Sequence, residues 1–201
     1  MTLPKAKKLI CLECKQPFRP RGASHLLDCS IGQGYTVPPG IHSGYRFLVF
    51  GSRVHPPEKL TEMFDFLDGV LAKHPDLSLL HGGAQGVDFA AQSWADDRGV
   101  ATEVWEPQYD LFGQTYRFGK GIAPLWRNAE MAHRYPNAGL GVVGPCTKET
   151  CRIKSLHGSH GSVDMAVRAH DLGIPVFPMV WGGLDQLAQH LLSAYPAEEA
   201  R

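Results

Sequence analysis

The sequence predicts an α/β fold built on a doubly wound parallel sheet, and two observations lead to this class. From Tyr45 onward, short apolar runs alternate with amphipathic stretches of helical periodicity. The apolar runs are continuous, which is typical of strands that are buried on both faces of a sheet. Strands that alternate with helices in this way predict parallel βαβ units in a Rossmann-like arrangement.

The order of these elements indicates where functional residues should be sought. The predicted strands are Arg46 to Phe50, Leu77 to Leu80, Ala101 to Trp105, Leu140 to Val143 and Pro175 to Val180. The predicted helices are Glu58 to Lys73, Gly86 to Arg98, Leu125 to Arg134, Ser162 to Leu172 and Leu184 to Ala194. Ligands of such sheets bind in the crevice beyond the carboxyl ends of the strands. We therefore expect the functional residues in the loops that follow the strands.

The chain divides into a short extension and one larger domain. Its 201 residues can bury one sizeable core and leave an appendage. Residues 1–44 hold three of the five cysteines and end in a Pro/Gly-rich tract, Val37 to Gly40. We predict an N-terminal extension and linker over residues 1–44 and the α/β domain over residues 45–201.

Composition disfavours two classes of partner. The 20 basic residues balance the 20 acidic residues, so the chain lacks the overall positive field on which general nucleic-acid binding depends. No apolar run approaches the roughly 18 residues that a membrane span needs. The N-terminus also lacks the apolar stretch of a signal peptide. A cytoplasmic location is the expectation.

Two glycine-containing loops follow the first two strands. The first is Gly51, Ser52 and Arg53, in which the glycine lets a ligand approach the backbone and the serine and arginine side chains could bind a phosphate or a carboxylate. The second loop begins at His81, and its predicted ligand-binding residues are Gly82, Gly83, Ala84, Gly86 and Asp88. Glycines before a helix start predict exposed N–H groups at the positive end of the helix dipole, which form an anion site. The alternative is that the glycines only form a tight turn and that Asp88 only complements the dipole.

Two further motifs lie later in the chain. Arg127 and Asn128 are predicted at the start of a helix, where an arginine gains nothing from the dipole and can offer its planar fork to an anion. The last loop repeats the chemistry of the second, with Ser162 as a helix cap and Asp164 in the first turn of the helix. Its predicted ligand-binding residues are Gly158, Ser159, His160, Gly161 and Ser162.

These loops differ from the two most common nucleotide-binding motifs. Neither the dinucleotide-binding pattern G-x-G-x-x-G nor the P-loop pattern G-x-x-x-x-G-K-[ST] occurs at a junction between a strand and a helix. NAD-dependent dehydrogenases and P-loop NTPases are therefore disfavoured, and neither NAD nor a flavin is expected.

The four motifs, in this order, resemble the SLOG superfamily, and more narrowly the YspA-type branch related to YpsA. The resemblance spans about Tyr45 to Val180. It implies a Rossmann-like domain whose pocket takes a nucleotide or a nucleotide-derived molecule, including signals used in bacterial and phage conflict systems. Relatives include the DNA-binding DprA proteins and the LOG enzymes, which hydrolyse the N-glycosidic bond of nucleoside monophosphates. The resemblance also implies that a homodimer is possible.

The sequence departs from the LOG pattern at two positions. Asn128 stands where LOG enzymes have lysine, and Met165 stands at the position of their glutamate. Cleavage through an oxocarbenium-like transition state needs a carboxylate near the anomeric carbon, and Asp88 or Asp164 would have to supply it, with Arg127 beside it. A sensor or sequestering protein is therefore the first hypothesis. A phosphoribohydrolase is the second, and a nucleic-acid-binding protein is the third.

Cysteine and histidine residues form two candidate zinc sites. The first has the spacing of a zinc knuckle and comprises Cys11, Cys14, His25 and Cys29. A polar segment of this size needs such a staple to fold, so a structural zinc ion is predicted there. The second site comprises Cys146, Cys151, His157 and His160. Two alternatives stay open: the two histidines could face the ligand, or Cys11 and Cys14 could share one site with Cys146 and Cys151.

Overall fold

The computed structural model describes residues 44–110, 119–134, 136–153 and 155–192, and it contains five strands that alternate with five helices. The strands are β1 (Arg46–Gly51), β2 (Ser78–His81), β3 (Ala101–Val104), β4 (Ala138–Val143) and β5 (Val176–Val180). The helices are α1 (Pro57–Lys73), α2 (Val87–Arg98), α3 (Gly119–Ala132), α4 (His160–Asp171) and α5 (Asp185–Leu192).

The five strands form one parallel sheet in the order β3-β2-β1-β4-β5. The central strands β1, β2 and β4 are almost entirely buried, as their continuous apolar sequences require. The edge strand β3 is half-exposed. This topology confirms the predicted Rossmann-like fold.

Helices cover both faces of the sheet. On one face, Met63 and Leu67 of α1 and Trp94 of α2 pack against strand residues such as Val49. The opposite face packs against α3, α4 and α5; its core includes Trp126, Met131, Met165, Ala169 and Leu184. None of the helices in the described residues is long and apolar enough to cross a membrane.

Most element boundaries agree with the sequence within one or two residues, and α3 is the exception. The helix was predicted over Leu125 to Arg134. In the structure α3 begins at Gly119 and contains Pro124 in its interior. Arg127 therefore lies well inside the helix, and the prediction that it opens the helix is wrong.

Helix α4 also begins earlier than predicted. Ser159 is its N-cap and His160 its first residue, so the prediction that Ser162 caps the helix is wrong. The early start also places Asp164 beyond the first turn, contrary to the prediction. The antiparallel bridge between Pro145 and Gly158 explains the difference, because it holds the preceding loop against the end of β4 and the helix starts directly from it.

Residues 1–43 lie outside the described part of the chain, so the division into an extension and a domain at residue 44 stays a prediction.

Candidate functional site

The order of the strands creates a crevice between β1 and β4. The connections from β1 lead to one side of the sheet, and those from β4 lead to the other, which makes this pair the topological switch point at which such sheets bind ligands. A cleft of about 620 Å³ opens there. Its walls include residues 51–54 at the end of β1 and residues 145–148 after β4.

Ser52 joins the ends of β1 and β4. Its Oγ accepts a hydrogen bond from the N–H of Gly144 at 2.8 Å, and its own N–H donates to the carbonyl of Val142 at 2.9 Å. The side chain is buried and lines the cleft. The neighbouring Arg53 is exposed at the cleft wall, where its charge is accessible to a ligand.

The loop after β2 is held by its own acceptors. Asp88 Oδ2 accepts hydrogen bonds from the N–H groups of Gly82 at 3.1 Å and Ala84 at 3.3 Å. The N–H of Gly83 donates to Nδ1 of His81 at 3.2 Å. An open array of N–H groups was predicted here, but these three are already paired within the protein. Asp88 does lie in the first turn of α2, as predicted.

Asp88 and His81 form a buried, interacting pair. Burial raises the pKa of Asp88, and the nearby Arg127 and His81 oppose this rise. Burial lowers the pKa of His81. Because Nδ1 of His81 accepts a hydrogen bond from the N–H of Gly83, its Nε2 carries the hydrogen and donates to Oε1 of Gln92 at 2.8 Å. His81 is thus arranged as a neutral ring.

Arg127 is buried at the back of the cleft and contacts the same loop. Its Nη1 donates to the carbonyl oxygen of Gly82 and, at 3.3 Å, to that of Trp105. Its Nε donates to Oδ1 of Asn128 at 3.1 Å. The guanidinium group therefore binds the ends of β2 and β3 together as well as lining the cleft.

Asn128 connects α3 to α4. Its Nδ2 donates to the carbonyl oxygen of Gly161 and to Oδ2 of Asp164, both at 3.0 Å. Asp164 also accepts from Nε of Arg168 at 2.8 Å, one helical turn further on. This ion pair and the amide hold Asp164 between the two helices, outside the lining of the cleft.

The start of α4 forms another wall of the cleft, through residues 159–162 and Met165. Ser162 is only 4% exposed, and its Oγ has no hydrogen-bond partner among the described residues. Leaving a buried hydroxyl group without a partner is unfavourable. A ligand atom in the cleft could supply that partner.

Four potential metal ligands lie together beside this wall. The ligand atoms of Cys146, Cys151, His157 and His160 all lie within 4.8 Å of one another. Sγ of Cys151 is 3.3 Å from Nε2 of both histidines, and the two Nε2 atoms are 3.1 Å apart. This cluster could hold a metal ion.

The geometry suits tetrahedral coordination. Zinc with Zn–S bonds of about 2.3 Å and Zn–N bonds of about 2.0 Å separates its ligand atoms by roughly 3.3 to 3.8 Å. The distances among Cys151, His157 and His160, 3.1 to 3.3 Å, are close to this range. Nδ1 of His157 lies 2.7 Å from the carbonyl oxygen of Ser155. A hydrogen on Nδ1 would leave Nε2 free to coordinate, and metal-binding histidines are typically oriented in this way.

The predicted N-terminal site lies outside the described residues, with all four of its members, Cys11, Cys14, His25 and Cys29. The same holds for the alternative in which Cys11 and Cys14 share a site with Cys146 and Cys151.

The structure brings most of the predicted ligand-binding residues to one cleft. The predicted residues that line it are Gly51, Ser52, Arg53, Ala84, Asp88, Arg127, Asn128, Ser159, His160, Gly161 and Ser162. The predicted residues outside the lining are Gly82, Gly83, Gly86, Gly158 and Asp164. Glycine is needed at Gly86, where φ is +88° and a side chain would meet the backbone of Ser52 and Arg53.

Sequence reasoning missed several residues of the lining, among them Leu125, Met131, Thr147 and Lys148. Lys148 was within reach of prediction, because it follows the end of β4 at the switch point. The apolar residues carry no such signal, since their side chains have the spacing of ordinary helix core.

A parallel α/β sheet with a cleft at its switch point defines a Rossmann-like fold. Residues 48–112 match the model of the YspA, cpYpsA-related SLOG family. This match runs from within β1 to beyond β3 and confirms the resemblance to the YspA-type branch of the SLOG superfamily. It is consistent with a nucleotide-related ligand. No curated protein matches the sequence.

Proposed function

We propose that the cleft binds a nucleotide or a nucleotide-derived small molecule, and that the protein acts as a sensor or sequestering protein for it. The observation that carries the proposal is Ser162, a buried hydroxyl group without a partner among the described residues, in the wall of a 620 Å³ cleft. A cleft of this size suits a small ligand, and its position at the switch point is the usual one.

The phosphate group of the ligand would lie at the start of α4. The N–H groups of a helix N-terminus and the helix dipole favour an anion there, and Oγ of Ser162 adds a donor. Arg53 and Lys148 are exposed cations in the lining and would complement the charge. This location replaces the loop after β2 as the principal phosphate site, since Asp88 and His81 already accept the N–H groups of that loop.

The apolar part of the cleft would take the base or the sugar face. Pro124, Leu125 and Met131 of α3 lie in the lining, with Met165 of α4. Such a surface binds a flat ring by contact and burial, while a few polar groups fix its orientation. A cleft with a charged end and a separate apolar wall fits a nucleotide better than it fits a free phosphate ion.

Binding is favoured over hydrolysis by the positions of the carboxylates. Met165, at the position of the glutamate in the LOG pattern, is a buried residue of the lining. Asp164 is paired with Arg168 outside the lining. Sensing of this kind agrees with the role in conflict systems that the SLOG resemblance implies.

One observation favours a phosphoribohydrolase as a second candidate. Asp88 lines the cleft, and burial raises its pKa. A carboxyl group with a raised pKa can donate a proton to a leaving base. Incubation with AMP, followed by chromatography for adenine and ribose 5-phosphate, tests this candidate; release that is lost in Asp88→Asn would favour it over a sensor.

The binding proposal is tested on the full chain. Native mass spectrometry identifies any co-purified nucleotide, and calorimetric titration with AMP measures the dissociation constant. We expect Ser162→Ala to weaken AMP binding about fivefold, since one hydrogen bond contributes about 1 kcal/mol, without lowering stability. Ser93→Ala, an exposed serine on α2, is the control and should bind as the wild type does. The proposal fails if no nucleotide co-purifies and AMP does not bind up to about 1 mM.

We also propose that the four-residue cluster holds a structural zinc ion. Two sulfur and two nitrogen ligands fill a tetrahedral site and leave no open position for catalysis. Elemental analysis of the purified wild type and of Cys151→Ser tests this assignment. The variant should contain one zinc ion fewer per chain, and equal zinc contents would contradict the assignment.

A further inference from the structure

The metal cluster and the cleft share two residues. Cys146 and His160 belong to the cluster and also line the cleft. Cys146 follows the end of β4, whereas His160 is the first residue of α4. A metal ion bound to both would therefore connect two walls of the cleft directly.

The backbone between these residues is a narrow loop closed at its base. The N–H of Ser159 donates to the carbonyl oxygen of Gly144 at 3.0 Å, and the N–H of Cys146 donates to that of His157 at 2.9 Å. The metal ligands lie just beyond these bonds. A bound metal ion would therefore hold the two sides of the loop together beyond these two hydrogen bonds, and it would fix the position of the first residue of α4.

The outer part of the loop has little core of its own. Ile153 is 52% exposed and Leu156 is 60% exposed, so the large apolar side chains of this segment contribute little burial. Segments with few buried contacts open at low cost in free energy. Four coordinate bonds would supply the restraint that apolar packing does not provide.

The metal ion would not act on an anionic ligand through its charge. Two cysteine thiolates neutralise the charge of a divalent zinc ion, and neutral histidines add none. The effect of the metal on the cleft is therefore positional. It holds His160 in place, and with it the first turn of α4, which includes the cleft-lining residue Ser162.

We propose that metal occupancy of the Cys146, Cys151, His157 and His160 site controls ligand affinity in the cleft, so that the zinc-bound protein is the binding-competent form. This inference rests on the proposed function. Because coupling between two sites is reciprocal, the nucleotide also tightens zinc binding. Couplings of this kind typically change affinity by about 5 to 150-fold.

The test compares the zinc-loaded and chelator-treated full chain in calorimetric titrations with AMP. We expect zinc-loaded wild type to bind AMP at least about fivefold more tightly than the chelated protein. Cys151→Ser is the key variant, since Cys151 is a ligand outside the cleft lining. It should bind AMP as weakly as the chelated wild type, whether or not zinc is added.

Three control variants separate the metal from other effects. Arg152→Ala changes an exposed neighbour of Cys151 and should behave as the wild type does. Cys151→His replaces the sulfur ligand with a nitrogen ligand, so the site keeps four ligands and should recover part of the zinc-dependent gain. Cys11→Ser should keep the gain in full, because the effect comes from the site beside the cleft. Equal AMP affinity with and without zinc in the wild type overturns the inference.

Amide hydrogen exchange with zinc alone distinguishes failure of this inference from failure of the proposed function. Zinc should slow exchange in the segment Ser159 to Ser162 in the wild type but not in Cys151→Ser. If AMP does not bind but zinc slows this exchange, the proposed ligand is wrong, whereas the link between metal and cleft wall stands. If zinc leaves the exchange unchanged, the inference is wrong whatever AMP does.

Discussion

The guanidinium group of Arg127 occupies the space beside Gly82 that a Cβ atom at position 82 would fill. Nη1 of the arginine also donates to the carbonyl oxygen of the same glycine. The absence of a side chain at Gly82 is therefore what lets Arg127 reach the end of β2. This contact gives the glycine-rich loop a packing role besides any role in ligand binding.

Gly82→Ala should destabilise the protein, because the added methyl group overlaps a buried guanidinium group that has little room to move. We expect a loss of about 1 to 3 kcal/mol in the free energy of unfolding, measured by urea denaturation. Gly69→Ala is the matched control, since a Cβ there meets nothing within 4 Å in the middle of α1. It should be neutral or stabilising by up to about 1 kcal/mol. Equal effects of the two changes would show that the Arg127 side chain can move away from the added methyl group at no cost in free energy.

Asp88→Ala should be more damaging than Asp88→Asn. The alanine leaves the N–H groups of Gly82 and Ala84 without their acceptor, and unpaired buried donors cost about 1 to 3 kcal/mol. Asparagine keeps an acceptor oxygen at the same place and should retain part of the stability. Thermal unfolding of the three proteins measures the order, and an alanine variant as stable as the asparagine variant would contradict this role of Asp88.

Stability should fall below about pH 6.5 through His81. Burial lowers the pKa of the folded-state ring from its ordinary value of 6.5, so the unfolded chain takes up a proton first as pH falls. The stability that the neutral ring contributes is present above that value and is lost at up to about 1.4 kcal/mol per pH unit below it.

His81→Asn tests this pH dependence, because asparagine cannot titrate and can place an acceptor near the position of Nδ1. The free energy of unfolding of the variant should fall less steeply between pH 7 and pH 5. The difference in slope should correspond to the uptake of about one proton. A residual slope is expected from His133, whose pKa is also lowered by burial and by the nearby Arg168. Parallel curves for wild type and variant would remove His81 as the cause.

The sheet was predictable from sequence, whereas the exact starts of two helices were not. Continuous apolar runs identify buried strands whatever their neighbours are, so β1 and β4 were found with small errors. Helix α3 was predicted too short: it begins at Gly119 and contains Pro124, a residue type that is typical of a helix start. Local residue preferences do not reveal that packing overrides such a signal.

The same distinction applies to the candidate site. Features that depend on residues close in sequence were predictable, whereas features that depend on packing were not. The cluster of Cys146, Cys151, His157 and His160 was predictable, because its members are close in sequence and share one chemistry. The hydrogen bonds from the N–H groups of Gly82 and Ala84 to Asp88 were not predictable, because the same sequence pattern suits an anion site equally well. The pairing of Asp164 with Arg168 was predictable, because residues four apart on a helix lie on the same face.

Asn128 offers the sharpest test of how α3 and α4 are joined. Its Nδ2 is the donor to Gly161 and Asp164, while Oδ1 accepts from Arg127, so both ends of the amide are used. Asn128→Asp removes both donated bonds and sets a second carboxylate against Asp164. We expect a loss of about 2 to 4 kcal/mol in the free energy of unfolding, measured by urea denaturation.

The same chemical change at Asn137 is the control for Asn128→Asp. Asn137 uses Oδ1 to accept from the N–H of Arg46 at 2.8 Å, and an aspartate keeps that acceptor. Asn137→Asp should therefore change stability by less than about 0.5 kcal/mol. If the two variants lose the same amount, general effects of added negative charge explain the result. If only Asn128→Asp loses stability, and AMP affinity falls with it, the amide is what holds the start of α4 in position at the cleft.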